Sequence, residues 1–202
     1  MNNCSAVLLF IKSPEKGKVK SRLARAIGED AALDIYKCLV TDTLEKLKDG
    51  KYLFSLYFYP PGSEVIVKKW LGSSYSCYPQ CGRDIGERMK HAFIQAFSDG
   101  MEKVLIVGGD IPDLSLLLIN EALYALDTND AVIGPANDGG YYLIGFSRDA
   151  FLPEIFQGIA WSTDSVYDQT MKVFDKSSIR VHVLAVLTDV DTFEDLKATG
   201  YR

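Results

Sequence analysis

Apolar positions along this chain fall into two kinds of run that take turns. Residues 6–11, 52–59, 104–107, 131–134 and 141–146 are short, nearly unbroken apolar stretches. Rich in β-branched and aromatic side chains, they have the pattern of strands covered on both faces. Residues 76–79 and 180–187 read as two further strands. Longer stretches between them repeat apolar residues at helical spacing. Residues 29–48 place Ala32, Leu33, Tyr36, Leu39, Val40 and Leu47 near one helix face, and Gly50 follows as a stop. The same period runs through 83–97, ended by Gly100, and through 115–126, with Ser115 as the capping residue. Shorter helices are predicted from about residue 21, over 63–71 with Ser63 as cap, over 163–174 and over 192–198.

This alternation predicts a three-layer α/β domain around a mainly parallel sheet, with residues 1–202 forming one domain. A hydrophobic content of 48% in 202 residues is enough for one sizeable core. The net charge of −5 and the mostly dispersed basic residues argue against a nucleic-acid partner. No run approaches the roughly 18 apolar residues of a membrane span. The start Met1-Asn2-Asn3-Cys4 lacks the basic segment and hydrophobic stretch of a secretion signal, so a cytoplasmic protein with no membrane partner is expected. Cys4, Cys38, Cys77 and Cys81 are scattered and read as reduced thiols, while His91 and His182 lack companions at ligand spacing and read as structural.

Candidate chemistry lies where strands end. Gly108 and Gly109 follow the 104–107 strand, so Asp110 sits at the carboxyl edge of the sheet, where open α/β folds bind ligands. An acid held there suits a divalent cation and the phosphate oxygens it carries; the plainer alternative is that Asp110 caps the next helix or turn. After the first strand, Lys12, Lys16, Lys18, Lys20 and Arg22 surround Gly17 in a loop that leads into a helix and offers charges to a triphosphate. It has no Walker A spacing. Gly82 and Gly86 bracket a helix start at which Arg83 could meet a base or phosphate. Asn137-Asp138-Gly139-Gly140 permits close backbone approach of a ligand, and Asp138 could bind a hydroxyl, a metal or a second substrate; the same string also makes an ordinary hairpin turn. Asp189 and Asp191, two apart in an extended segment, point the same way and could both face a cation, ahead of a capping box at Thr192 and Asp195.

These segments in this order resemble the bacterial glycosyltransferase-A-type proteins labelled radical-SAM/selenodomain-associated transferases. The resemblance rests on the Lys-Ser-Pro…Gly-Lys-Val-Lys-Ser-Arg-Leu loop, Gly-Arg-Asp-Ile-Gly-Glu-Arg-Met, Gly-Gly-Asp-Ile-Pro-Asp, Asn-Asp-Gly-Gly-Tyr-Tyr-Leu-Ile-Gly and Asp-Val-Asp-Thr-Phe-Glu-Asp-Leu, and runs from about residue 5 to 197. It implies the Rossmann-like fold of the nucleotide-diphospho-sugar transferases. The Lys-Ser-Arg-Leu start is also similar to that of phospholactate guanylyltransferases, while the Gly-x-Gly-x-Arg loop of sugar nucleotidyltransferases is absent. By resemblance, Asp110 and Asp191 hold Mg²⁺ or Mn²⁺. Lys12, Lys20, Arg22 and Asp138 then act in catalysis, and Gly17, Arg83, Gly108, Gly109, Gly139 and Gly140 bind the nucleotide. The expected reaction is nucleotidyl transfer from a nucleoside triphosphate to a small phosphorylated acceptor. The alternatives are glycosyl transfer from a nucleotide-sugar and a silent nucleotide-binding module. The oligomeric state is left open, a homodimer included.

Overall fold

Strand β1 (Ser5–Lys12) is buried on both faces, with Val7, Leu9 and Ile11 in one apolar core and Ala6, Leu8 and Phe10 at the other. The computed structural model describes residues 4–201; residues 1–3, on which part of the secretion-signal expectation rests, lie outside the described residues. After β1 come helices α1 (Ser21–Ile27) and α2 (Glu29–Leu47), then β2 (Leu53–Tyr59), α3 (Glu64–Leu71), β3 (Ser76–Pro79) and α4 (Ile85–Ser98). The chain continues through β4 (Lys103–Gly108), α5 (Leu116–Ala125), β5 (Ala131–Pro135) and β6 (Tyr141–Ser147). It ends with α6 (Val166–Lys176), β7 (Val181–Val183) and α7 (Phe193–Ala198).

Among the described residues seven strands lie in the order β3-β2-β1-β4-β6-β5-β7, with β6 antiparallel to both neighbours and the other pairs parallel. This is the expected mainly parallel sheet. Helices cover both faces. Tyr36, Val40 and Leu44 of α2, Val67 of α3 and Ile119 of α5 join the first core, while Met89 and Phe93 of α4 and Phe174 of α6 join the second. A third, smaller cluster packs Leu23 of α1 and Leu39 of α2 against Val190, with Phe193 and Leu196 beside it. It anchors the last segment of the chain onto the helix that follows the first loop.

Beside β1 the chain reverses its lateral order: β2 and β3 add on one side, then β4 returns to the other. Such a switch point leaves a crevice beyond the carboxyl ends of the two central strands. The loop after β1 and the turn after β4 both open into it.

Some boundaries differ from the sequence reading. Strand β7 is only three residues long, because the β5–β6 register shifts between Gly134 and Pro135 and Pro135 has no amide to give the edge. Its continuation is held by Leu184 N donating to Ile133 O and by an isolated bridge in which Leu187 N donates to Pro135 O and Asn137 N to Leu187 O. Helix α6 starts three residues later than expected, after Ser162 at φ 65°. Ser63 does not cap α3; its Oγ donates to Pro60 O at 2.6 Å. The Ser115 cap and the Thr192–Asp195 capping box form as expected.

Candidate active site

Three distant segments meet at the crevice. Lys20 precedes α1 with left-handed backbone angles (φ 47°, ψ 44°), and only 3% of its side chain is exposed. Its ammonium donates to Asp110 Oδ2 at 2.7 Å and to Asp191 Oδ1 at 2.6 Å. Two oxygens sharing one ammonium are no further apart than the sum of those bonds, so acids 81 positions apart in sequence converge on one cation-sized space.

Each partner is fixed by its own element. Gly109 brings the turn after β4 against the core, where an added Cβ would lie 3.2 Å from methyls of Ile11 and Val40. Thr43 and Lys46 of α2 donate to the carbonyls of Gly109 and Pro112, holding that turn from below. Ser115, not Asp110, caps α5, so Asp110 is left for the crevice. Val190 is fully buried and its amide donates to Asp110 O, which ties the Asp191 segment to the Asp110 turn. Lys12 is exposed at the end of β1, where its amide and carbonyl are both bonded to the Tyr36 hydroxyl.

Electrostatics agree with this geometry. Burial opposes the charge on Lys20, but Asp110 and Asp191 outweigh it and hold the ammonium above its ordinary value. Burial likewise opposes the charge on Asp110, and Lys20, with help from Lys12, keeps that carboxyl below the usual range. Asp189 is the exception. Burial, reinforced by Asp191, Asp138 and Asp110, pushes its pKa up to about 7.

Two cavities flank the acid pair. One, of about 170 Å³, is lined by Lys12, Lys20, Gly109, Asp110, Asp191 and Arg88, with apolar walls from β1. Arg88 lies 3.6 Å above the ring of Tyr59, which is a second wall residue. Gln80 sits on the same wall, buried, with its amide donating to the carbonyls of Ile11 and Tyr57. The other cavity, of about 560 Å³, is lined by Arg22, Asp138, Gly140, Tyr141 and the 161–164 loop. Asp191 and Ile85 border both.

The expected residues therefore separate into groups. Lys20, Asp110 and Asp191 touch, and Lys12 and Gly109 line their cavity. Arg22, Asp138 and Gly140 face the second cavity, so Arg22 is not grouped with Lys12 as the sequence reading had it. Gly139 lies under the 161–164 loop, and Gly108 is within β4, paired with Phe10. Gly17 borders Glu29 and lines neither cavity. Arg83 is not brought to either cavity: Asp84 caps α4, Glu87 takes the Arg83 guanidinium, and the side chain lies on a separate surface pocket. Sequence reasoning carried Arg88 only within the Gly-Arg-Asp-Ile-Gly-Glu-Arg-Met segment and missed Tyr59 and Trp161 as cavity walls. The helical spacing of Arg88 behind Ile85 was the available signal for the first; the other two depend on tertiary contacts.

Asp189 makes a pH dependence testable. Its folded pKa of about 7 lies above an unfolded value of about 3.9, so between them the folded state keeps a proton that the unfolded state has lost. This group's contribution to stability therefore falls as pH rises from about 4 through about 7. Discounted for partial exposure, the fall is ~1–2 kcal/mol. Asp189→Asn is expected to raise the melting temperature at pH 8 by about 2–8 °C and to change it little at pH 4. Melting curves of both proteins across that range check it.

The donor set suits a hard divalent cation. Among the described residues no three His, Cys, Asp or Glu side chains cluster to hold a metal, so the two carboxylates stand as a pair. Mg²⁺ is commonly held by one or two carboxylates, with substrate phosphates and water completing its shell.

A family profile described as "Uncharacterized protein conserved in bacteria (DUF2064)" matches residues 43–163, a segment that holds Asp110 and Asp138. No curated protein matches the chain by sequence. Among solved structures, that of a candidate nucleotide-diphospho-sugar transferase from Desulfovibrio desulfuricans G20 is 41% identical. It has a TM-score of 0.94 and covers 98% of this chain and 86% of that one. CMP:2-keto-3-deoxy-manno-octonic acid synthetase complexed with CTP has a TM-score of 0.58 at 10% identity, with 96% of each chain covered. Rv0371c from Mycobacterium tuberculosis H37Rv in complex with manganese has a TM-score of 0.50 at 16% identity, again with 96% of each covered. These last two share the fold. With a profile match over more than half its length and a 41% identical relative over nearly all of it, the chain belongs to the bacterial DUF2064 family.

Proposed function

We propose that this chain is a single-domain, metal-dependent nucleotidyltransferase that joins a nucleoside triphosphate to a small phosphorylated acceptor. The observation that carries the reading is the convergence of Asp110, Asp191 and Lys20 between a cation-lined cavity and a larger one. Asp110 and Asp191 would hold Mg²⁺ or Mn²⁺, which supplies charge neutralisation on phosphate oxygens. Manganese in the Rv0371c structure and CTP in the synthetase structure support the pairing of such a fold with these ligands.

The chain's own groups have separate tasks. Lys12, Lys20 and Arg88 face the triphosphate and stabilise charge on the departing pyrophosphate. Arg22 takes the phosphate of the acceptor in the second cavity, and Asp138 orients the acceptor's attacking hydroxyl oxygen and accepts its proton. That oxygen forms a bond to the α-phosphorus as the bond to the bridging oxygen breaks, and pyrophosphate leaves with the electron pair. No protein nucleophile is involved, so rate comes from positioning and electrostatics.

Glycosyl transfer from a nucleotide-sugar is the second reading, favoured by the name of the 41% identical relative. Product analysis separates the two. The purified protein is incubated with Mg²⁺ or Mn²⁺, phosphorylated polyols and sugars, and either nucleoside triphosphates or nucleotide-sugars. Pyrophosphate release that depends on both triphosphate and acceptor is the expected result. Nucleoside diphosphate release from a nucleotide-sugar would favour the alternative, and binding of every donor without turnover would leave only a nucleotide-binding module.

A further inference from the structure

We infer that the Lys20 ammonium is the built-in counter-ion of the Asp110–Asp191 pair, and that it gives way only when a divalent cation arrives together with a polyphosphate. The inference rests on the metal assignment above. The chain would then bind metal and nucleotide as one unit and discriminate against either alone.

Lys20 has two features that fit this role. Its side chain is 3% exposed, whereas those of Asp110 and Asp191 are 35% and 36% exposed, so the lysine sits behind a pair of acids that still face the cavity. Its backbone is left-handed, which is uncommon for a residue other than glycine, and it lies at the head of α1 without making a side-chain cap. The side-chain bonds recorded for Lys20 are those to the two carboxylates. Those bonds are what its conformation serves.

Competition follows from charge. Two neighbouring carboxylates repel one another unless a cation lies between them, and Lys20 meets that need in the metal-free chain. A divalent ion must therefore outbid an ammonium that is already in place, which weakens binding of the bare metal. A polyphosphate changes the balance, because it gives the released ammonium an anionic partner. The four-carbon stem of lysine is flexible enough to swing its charge off the acids within the cavity that Lys20 lines together with Lys12 and Arg88. Lys20 thus has two sets of partners that exclude one another, the acid pair and the polyphosphate. Reciprocal coupling between metal and polyphosphate is the thermodynamic consequence.

The test measures binding of Mn²⁺ alone and of the Mn²⁺–inorganic tripolyphosphate complex to the full chain, by free-Mn²⁺ signal and by thermal shift. Wild type is compared with Lys20→Met and Lys20→Gln. Both neutral variants are expected to bind bare Mn²⁺ at least about tenfold more tightly than wild type, and the tripolyphosphate complex at least about tenfold more weakly. Failure of either half overturns the inference: unchanged affinity for bare Mn²⁺ means no competition, and undiminished affinity for the complex means that Lys20 does not move to phosphate. Variants that fail to fold even with Mn²⁺ would also overturn it, since the metal could then not replace the ammonium. Asp110→Asn separates this from the underlying assignment. Mn²⁺ binding that survives Asp110→Asn sinks the metal site itself, whereas binding that needs Asp110 but ignores Lys20 sinks only the exchange.

Discussion

Asp110→Asn is expected to lower kcat/KM for the transfer reaction by about 10²–10³-fold, the usual cost of losing one preorganised charged group at a reacting centre. The residue lies where β4 ends, beside the switch point, and it is one of the two acids that share Lys20. Asparagine keeps its shape and loses its charge. Lys20, buried and now left with Asp191 alone, becomes poorly compensated, so stability should also fall, by ~1–2 kcal/mol. The two losses have different causes and are separable. Removing the ammonium as well, in Asp110→Asn with Lys20→Met, is expected to recover part of the stability and none of the activity. Residues that share one ion network do not act additively, so the double variant must be measured rather than summed. Steady-state kinetics and melting curves on the single and double variants provide the check. Activity within about threefold of wild type in Asp110→Asn would remove the acid pair from the chemistry.

The central strands were legible because a strand covered on both faces needs an unbroken apolar run, and residues 6–11 and 104–107 are such runs. Asp110 was legible for the same reason: two glycines after a buried strand place the next side chain at the sheet edge. The placement of Lys20 was half legible. Its charge and loop were plain, but its attachment to two acids comes from the cluster of Leu23, Leu39 and Val190 that docks the end of the chain onto α1, a long-range packing fact. Arg83 and Arg88 show the limit most clearly. Both are arginines at one helix start, and which of them faces the crevice is decided by Asp84 taking the cap and Glu87 taking Arg83. That competition is visible only once the helix register is fixed. The 161–164 loop partly reads as the start of the next helix, and its seat is made by Gly86 and Gly139, far from it in the chain.

Gly139→Ala is expected to be the most damaging single-methyl change in the second cavity. Gly139 has φ 87°, and an added Cβ would lie 2.0 Å from the carbonyl oxygen of Asp164. Backbone cannot yield as the tip of a side chain can, so the loop that carries Trp161, Ser162 and Thr163 must move outward from the cavity wall. The carbonyl of Gly139 also accepts from Tyr167 N at 2.9 Å, so the start of α6 moves with it. Strain at the positive φ and the displaced loop together should cost ~3 kcal/mol, or about 6–12 °C in melting temperature. The acceptor KM should rise at least about tenfold, while nucleotide binding in the smaller cavity changes little. Gly158→Ala is the control. Its φ is 70° and no atom lies within 4 Å of the added Cβ, so it carries the backbone strain without the collision. A much larger loss at 139 than at 158 assigns the difference to the contact between Gly139 and Asp164. Equal losses would mean that strain alone is at work and that the loop is not seated on Gly139, which would leave the acceptor wall without its support.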